Sequence, residues 1–216
     1  MQLYWPAPER NKGPILEVLR RVLPVRGTLL EIGSGTGQHA VFFASALPNW
    51  TFVPSDPTPA NVSSIEAYRA AAQLPNLQPP APLDVLASTW TWSTSASEPA
   101  QLDAIFSANM IHIAPWECCA ALMRGAARYL RAGGQLILYG PYRIAGEHTS
   151  DSNREFDADL RLRDARWGVR DLEAVEELGS SFGLHLRERV TMPANNLCLR
   201  FEREPMSEVR PHDLTR

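Results

Sequence analysis

Residues 29–39 read Leu29-Leu30-Glu31-Ile32-Gly33-Ser34-Gly35-Thr36-Gly37-Gln38-His39, and the fold is decided by how this stretch is understood. An apolar run from Thr28 to Ile32 is short enough for a buried strand, and residues 38–47 supply Val41, Phe42 and Ala44–Ala46 to a following helix. Glycines between the two let the backbone pass close beneath a ligand and turn sharply. A dinucleotide fingerprint, Gly-x-Gly-x-x-Gly, would need glycine where Gln38 stands, and Gly37 comes one place early. A Walker-type phosphate loop is excluded, because no Gly-Lys-Ser/Thr follows. Taken alone, the loop is also compatible with a tight turn that holds nothing. The carboxylate of Glu31 tips the balance: beside free N–H groups, it suits a ligand with a cationic amine better than a pyrophosphate.

Outward from this loop the chain alternates. Residues 14–23 are predicted to form a helix opened by Pro14 at its first position, with Ile15, Leu16, Leu19, Val22 and Leu23 at helical spacing. Trp50–Pro54 reads as a strand, Asn61–Ala72 as a helix, and Leu77–Leu83 as a strand spoiled by Pro79, Pro80 and Pro82. Leu102–Ala108 (strand), Pro115–Leu130 (helix), Gln135–Tyr139 (strand) and Leu172–Phe182 (helix) follow. Leu184–Thr191 and Leu197–Glu202 close the chain as a hairpin around Met192–Asn196. Such alternation predicts an open, doubly wound parallel sheet covered on both faces, with ligands at the carboxyl ends of its strands.

The 216 residues suffice for one core, and a hydrophobic share of 44% with 21% charged residues is that of a globular chain. Net charge is −3, so no basic field points to nucleic acid or an anionic membrane surface. Three cysteines, two of them the neighbours Cys118 and Cys119, form neither a disulfide framework nor a zinc pattern, and a reduced, cytoplasmic setting is expected. No signal peptide, membrane-length apolar run or metal-ligand spacing is expected. The 18 prolines outnumber the 13 glycines. They fall at the ends of elements, as punctuation, and not as in a linker. Ser93–Ser97 reads as a surface loop and Glu204–Arg216 as a polar tail outside the core.

With these residues in register, the chain resembles the class I S-adenosylmethionine-dependent methyltransferases. Glu31-Ile-Gly-Ser-Gly-Thr-Gly37 is similar to their first motif. Asp56 stands where an acidic residue ends strand two and holds ribose hydroxyls. Asp84, followed by Val85, stands where one pairs with the adenine amino group. Asp103–His112 and Leu130–Leu136 match the fourth and fifth landmarks, Asp103 being structural at the far end of its strand. The resemblance implies a three-layer Rossmann-like methyltransferase fold, with a mostly parallel seven-stranded sheet and an antiparallel terminal hairpin. It also implies S-adenosyl-L-methionine as cofactor and S-adenosyl-L-homocysteine as product. Candidate cofactor residues are Asn11, Glu31, Gly33, Ser34, Gly35, Gly37, Gln38, His39, Asp56, Asp84, Val85, Asn109 and Met110. Asp56 and Asp84, taken singly, also read as turn or capping residues, and Asn11 as a helix cap.

More narrowly, the chain resembles the methyltransferase-like 26 family and its bacterial relatives of unknown function over residues 5–203. The residues that carry this are Glu9–Lys12, Asn109–Trp116, Tyr139–Tyr142, Trp167–Asp171 and Met192–Asn196, with Ser152-Asn153, Phe156-Asp157 and Leu160-Arg161. It names no substrate. Residues 1–203 are expected to form one domain in which 141–170 is a lid over the active site. Within that segment, His148 reads as a surface residue, and Asp157, Arg161 and Asp164 as a solvated helix face. His112 and Tyr142, each just past a strand end and facing the expected pocket, are the catalytic candidates. His112 would be a general base, or else a capping or substrate-contacting residue. Trp90 and Trp92 either line the adenine edge or pack a loop onto the sheet.

Asn109 is followed by Met-Ile and not by Pro-Pro-aromatic, so the nucleic-acid N-methyltransferase signature is absent. A small molecule or a protein side chain is therefore the expected methyl acceptor. A cofactor-binding module without catalysis is the alternative. A nicotinamide-dependent oxidoreductase is disfavoured by Gln38 and Glu31.

Overall fold

A computed structural model of the protein describes residues 1–92 and 101–205, so the expected loop at Ser93–Ser97 and all but the start of the tail lie outside the described residues. The order of elements is α1 (Pro6–Val22), β1 (Gly27–Ile32), α2 (Gln38–Ala46), β2 (Trp50–Ser55), α3 (Pro59–Ala72), β3 (Leu102–Ala108), α4 (Trp116–Tyr129) and β4 (Leu130–Ile144). Then come β5 (Glu147–His148), α5 (Asp151–Arg163), β6 (Arg170–Asp171), α6 (Leu172–Ser181), β7 (Leu184–Met192) and β8 (Asn196–Arg203). The main sheet runs β2-β1-β3-β4-β8-β7, while β5 and β6 pair with the distal part of β4. β2, β1, β3 and β4 are parallel, and β8 and β7 are antiparallel, so the architecture is the Rossmann-like methyltransferase fold.

The last four residues of β1 are all buried, without alternation, as in a parallel strand covered on both faces. Leu30, Ile32, Ile105, Leu136 and Leu138 face α4 and α6, packing with Leu122, Met123 and Val175. Leu29, Phe106, Ile137 and Tyr139 face α1 and α2, packing with Ile15, Leu19 and Phe43. Cys118 and Cys119 are buried packing residues of α4.

Several features differ from the sequence expectation, among them β4, which runs over Leu130–Ile144 and not only Gln135–Tyr139. Helix α1 begins at Pro6, so Pro14 lies inside it and Asn11 sits within the helix rather than ahead of it. A mid-helix proline deletes one hydrogen bond, and the buried Ile15, Leu16, Val18 and Leu19 beyond it hold the helix through the gap. The predicted strand at 77–83 reduces to two isolated bridges to β2, Phe52–Leu77 and Ser55–Ala81, because its prolines cannot donate to a ladder. Among the described residues the sheet has eight strands and not seven, since β5 and β6 are added while 77–83 is lost. Pro115 is the N-cap of α4 and not its first residue.

Residues beyond β4 are more ordered than a simple loop. β5 folds back antiparallel on β4, Ser150 caps α5 by accepting the Asn153 N–H at 3.2 Å, and β6 returns parallel to β4. Among the described residues no helix is long and apolar enough to cross a membrane.

Candidate functional site

The carboxyl ends of β1, β2 and β3 bring most of the expected cofactor residues together. Gly33, Gly35 and Gly37 all have positive φ, at 70°, 56° and 94°. Only glycine adopts such angles without strain, so the loop conformation dictates the residue. A Cβ on Gly37 would stand 2.9 Å from the Ile65 backbone, so this glycine lets α2 and α3 approach closely. A Cβ on Gly33 would stand 3.3 Å from Met110, which flanks the loop from the β3 end. Ser34 is buried and ties the loop to β2, its N–H donating to the Ser55 carbonyl at 2.8 Å.

Glu31 is 2% exposed, and its Oε2 has no hydrogen-bond partner. Burial pushes its carboxyl up to about 7. His39, also buried, is pulled down to about 4, first by burial and then by the Lys12 charge. Its Nε2 lies 2.7 Å from Asn11 Oδ1, and Nδ1 faces Glu31 Oε1 at 3.8 Å. Tyr139, buried on β4, has its phenol raised by burial. An orphaned buried carboxylate is expensive unless a cation completes it. This donor set fits a cofactor whose amino acid end carries an ammonium group.

Asp56 accepts the Gly35 N–H at 3.0 Å through Oδ2, while Oδ1 accepts the Thr58 N–H at 2.9 Å and the Asn61 amide at 3.0 Å. It is thus a turn residue and a strut of the glycine loop at once. Asp84 is exposed and accepts the Leu86 N–H at 2.9 Å, with Val85 buried beside it. Trp90 stacks on Tyr129 with centroids 5.5 Å apart, and Trp92 meets the same ring edge-on at 4.6 Å; both pack their loop against α4. Asn109 ends β3 in a left-handed conformation at φ 62°, rare for a residue other than glycine, and its N–H donates to the Tyr139 carbonyl at 2.7 Å.

His112 and Tyr142, expected to face the pocket, are both 0% exposed. Their rings meet edge-on at 5.0 Å, and both His112 Nε2 and the Tyr142 hydroxyl lack partners. Burial and the neighbouring Arg170 charge pull His112 down to about 3, and burial raises Tyr142. Tyr142 packs on the α4–α6 side of β4, because strand side chains alternate and Tyr139 takes the other side.

Arg170 holds this corner closed. Its guanidinium donates to the carbonyls of Ile111 at 2.9 Å, Ala114 at 2.7 Å and Arg166 at 2.9 Å, and its N–H donates to His112 Nδ1 at 3.3 Å. Asp157 is 7% exposed and accepts the Val169 N–H at 2.7 Å, so it anchors the segment and is not part of a solvated face. His148 is half-buried and its Nε2 lies 3.5 Å from Asp157 Oδ2, again not the expected surface residue.

Trp5, Glu9 and Arg170 are not site candidates on sequence grounds, yet Trp5 and Glu9 touch the loop or its supports and Arg170 touches His112. Trp5 N–H donates to Gln38 Oε1 at 2.8 Å, and Gln38 Nε2 donates to Glu9 Oε1 at 2.8 Å. Placing the helix start at Pro14 hides Trp5 and Glu9. The signal that locates the start is Pro6, an earlier helix-opening proline.

A family model described as protein of unknown function (DUF938) matches residues 2–203. Solved structures with this fold include an O-methyltransferase family protein from Burkholderia thailandensis, at TM-score 0.74 and 15% identity, covering 93% of this chain and 58% of that one. Human N-acetylserotonin methyltransferase, solved in complex with SAM, matches at TM-score 0.73 and 14% identity, covering 92% of this chain and 53% of its own. CalO1, a methyltransferase in calicheamicin biosynthesis solved in SAH-bound form, matches at TM-score 0.70 and 17% identity, with 91% and 54% covered. The chain spans a little over half the length of these proteins, and at such identities the likeness is one of fold.

Proposed function

The chain belongs to the family described as protein of unknown function (DUF938), and from there we propose that it is an S-adenosylmethionine-dependent methyltransferase with a small-molecule acceptor. The observation that carries this is Glu31: a buried carboxylate with an orphaned oxygen, beside three left-handed glycines at the end of β1. Solved neighbours of the fold hold SAM or SAH, which supports the choice of cofactor.

Glu31 would pair with the cofactor's ammonium group, Asp56 with ribose hydroxyls and Asp84 with the adenine amino group. Gly33, Ser34, Gly35 and Gly37 would line the loop together with Gln38 and His39. Asn11, Asn109, Val85 and Met110 complete the set. When bound, the cofactor supplies an electrophilic methyl group on sulfonium. The chain's remaining work is to align an acceptor and exclude water, with proton removal only where the nucleophile requires it. His112, neutral and enclosed, would act on an acceptor only after the segment held by Arg170 moves; until then it is a packing residue. The reading includes kinship with the methyltransferase-like 26 family, a cytoplasmic setting and residues 141–170 as the lid.

A second reading is favoured by that same enclosure of His112 and Tyr142: a module that binds the cofactor without turnover. Calorimetry with S-adenosylhomocysteine and NADH tests the cofactor. Binding of the former alone is expected, and its absence overturns the proposal. Methyl transfer into fractionated metabolite extracts separates enzyme from module.

A further inference from the structure

The first five residues lie outside the core and end on the cofactor loop. Tyr4 is 63% exposed and Trp5 45% exposed, so two large aromatic rings remain at the surface. A Cβ on Gly35 would stand 2.6 Å from the Trp5 ring, which therefore lies directly against the loop. Gly35 is also the residue whose N–H is held by Asp56.

The stretch ahead of Trp5 is tied to α3 and to the loop: the Tyr68 hydroxyl donates to the Leu3 carbonyl at 3.1 Å, and the Gln2 amide donates to the Ala67 carbonyl at 3.3 Å. Leu3 N–H donates to Ser64 Oγ at 2.8 Å, and the same hydroxyl donates to the Thr36 carbonyl at 2.8 Å. Trp5 N–H ends on Gln38 Oε1, which also accepts the Thr36 hydroxyl at 2.9 Å. Thr36 and Gln38 belong to the glycine motif itself. Where a dinucleotide fingerprint would carry glycine, this chain carries the amide that fastens its own N-terminus. A few hydrogen bonds, among the described residues none of them to a strand, make the segment cheap to open.

On the cofactor reading above, we propose that residues 1–5 form a strap across the cofactor loop. Trp5 is a cofactor-site residue whose indole closes over the loop at Gly35. Gln38 is the positioning residue that anchors it, and the strap lifts for the cofactor to exchange. A ligand seated on the loop would cover the exposed face of the indole, so binding and strap closure favour one another.

The test uses the full chain and S-adenosylhomocysteine. Hydrogen exchange of the N-terminal peptide is followed with and without the ligand. Dissociation is followed by stopped flow for the wild type, Trp5→Phe and Trp5→Ala. The ligand is expected to slow exchange of the Leu3 and Trp5 amides about fivefold or more. Trp5→Ala is expected to raise the dissociation rate about tenfold and Trp5→Phe about two- to threefold, since affinity differences reside mostly in dissociation. Melting temperature should stay unchanged, because the ring is half exposed. Wild-type binding with unchanged Trp5→Ala dissociation, or with unmoved exchange at residues 1–5, overturns the strap. No wild-type binding at all overturns the cofactor reading and the strap with it, and is seen before any variant is made.

Discussion

Glu31, the next-to-last residue of β1, and His112, just past the end of the neighbouring β3, are each buried with one polar atom lacking a partner. Their surroundings differ. Glu31 lies beside the neutral His39, 3.8 Å from its Nδ1, and burial has moved its carboxyl to about 7, within reach of ionisation at neutral pH. His112 is enclosed by Tyr142, Gly140 and the guanidinium-held loop, and at about 3 it stays neutral throughout that range. One region is poised to be completed by a cation. The other is closed by its own chain. On the proposed function, the cofactor side would be preformed, and the acceptor side would open only with a movement of the segment that carries Arg170.

The largest break in this comparison comes from Glu31→Ala. Loss of the charged hydrogen-bond acceptor should weaken S-adenosylhomocysteine binding by roughly 10- to 100-fold in calorimetry, with the fold retained. Retained affinity would mean that the orphan carboxylate is not the cofactor's partner.

Arg170→Ala should act on the opposite side. Removing three carbonyl contacts is expected to destabilise the fold by about 1–3 kcal/mol in urea titration, while cofactor affinity stays within about twofold. Equal losses in both would show that the two regions are coupled.

The pH dependence sharpens the same contrast. A carboxyl raised to about 7 from an ordinary 4.5 binds a proton in the folded state that the unfolded chain has released. Its contribution to stability is then full below 4.5 and is lost as pH rises through about 7. A cationic ligand favours the ionised form, so affinity should climb with pH by at most about tenfold per unit up to about 7, and then level off. Glu31→Gln should flatten both curves. Last, His112→Ala should leave cofactor affinity within about twofold, because nothing on the loop touches its ring.

The glycine loop was legible because local rules agreed there: a strand without alternation, glycines that need left-handed angles, and a carboxylate at a strand end. Pro14 misleads because an opening proline and a tolerated internal one look alike until Ile15, Leu16 and Leu19 are seen buried on both sheet and helix neighbours. Asp157 reads as a solvated i,i+4 partner of Arg161, and that pair does form at 3.1 Å. Its second oxygen, however, takes a backbone N–H twelve residues on, which periodicity does not encode. His112 shows the same limit. Its place past a strand end was readable, but its direction depends on Arg170, far along the chain.

Pro14 also divides α1 into two mechanical parts. The half beyond it is rooted in the core through Ile15, Leu16, Val18 and Leu19. The half before it holds on through Glu9, Asn11 and Lys12 to α2 and to one another. The missing hydrogen bond is a joint at which cooperativity can break, so the leading turns can loosen while the trailing turns remain part of the folded body. A single helix thus serves as both hinge arm and foundation.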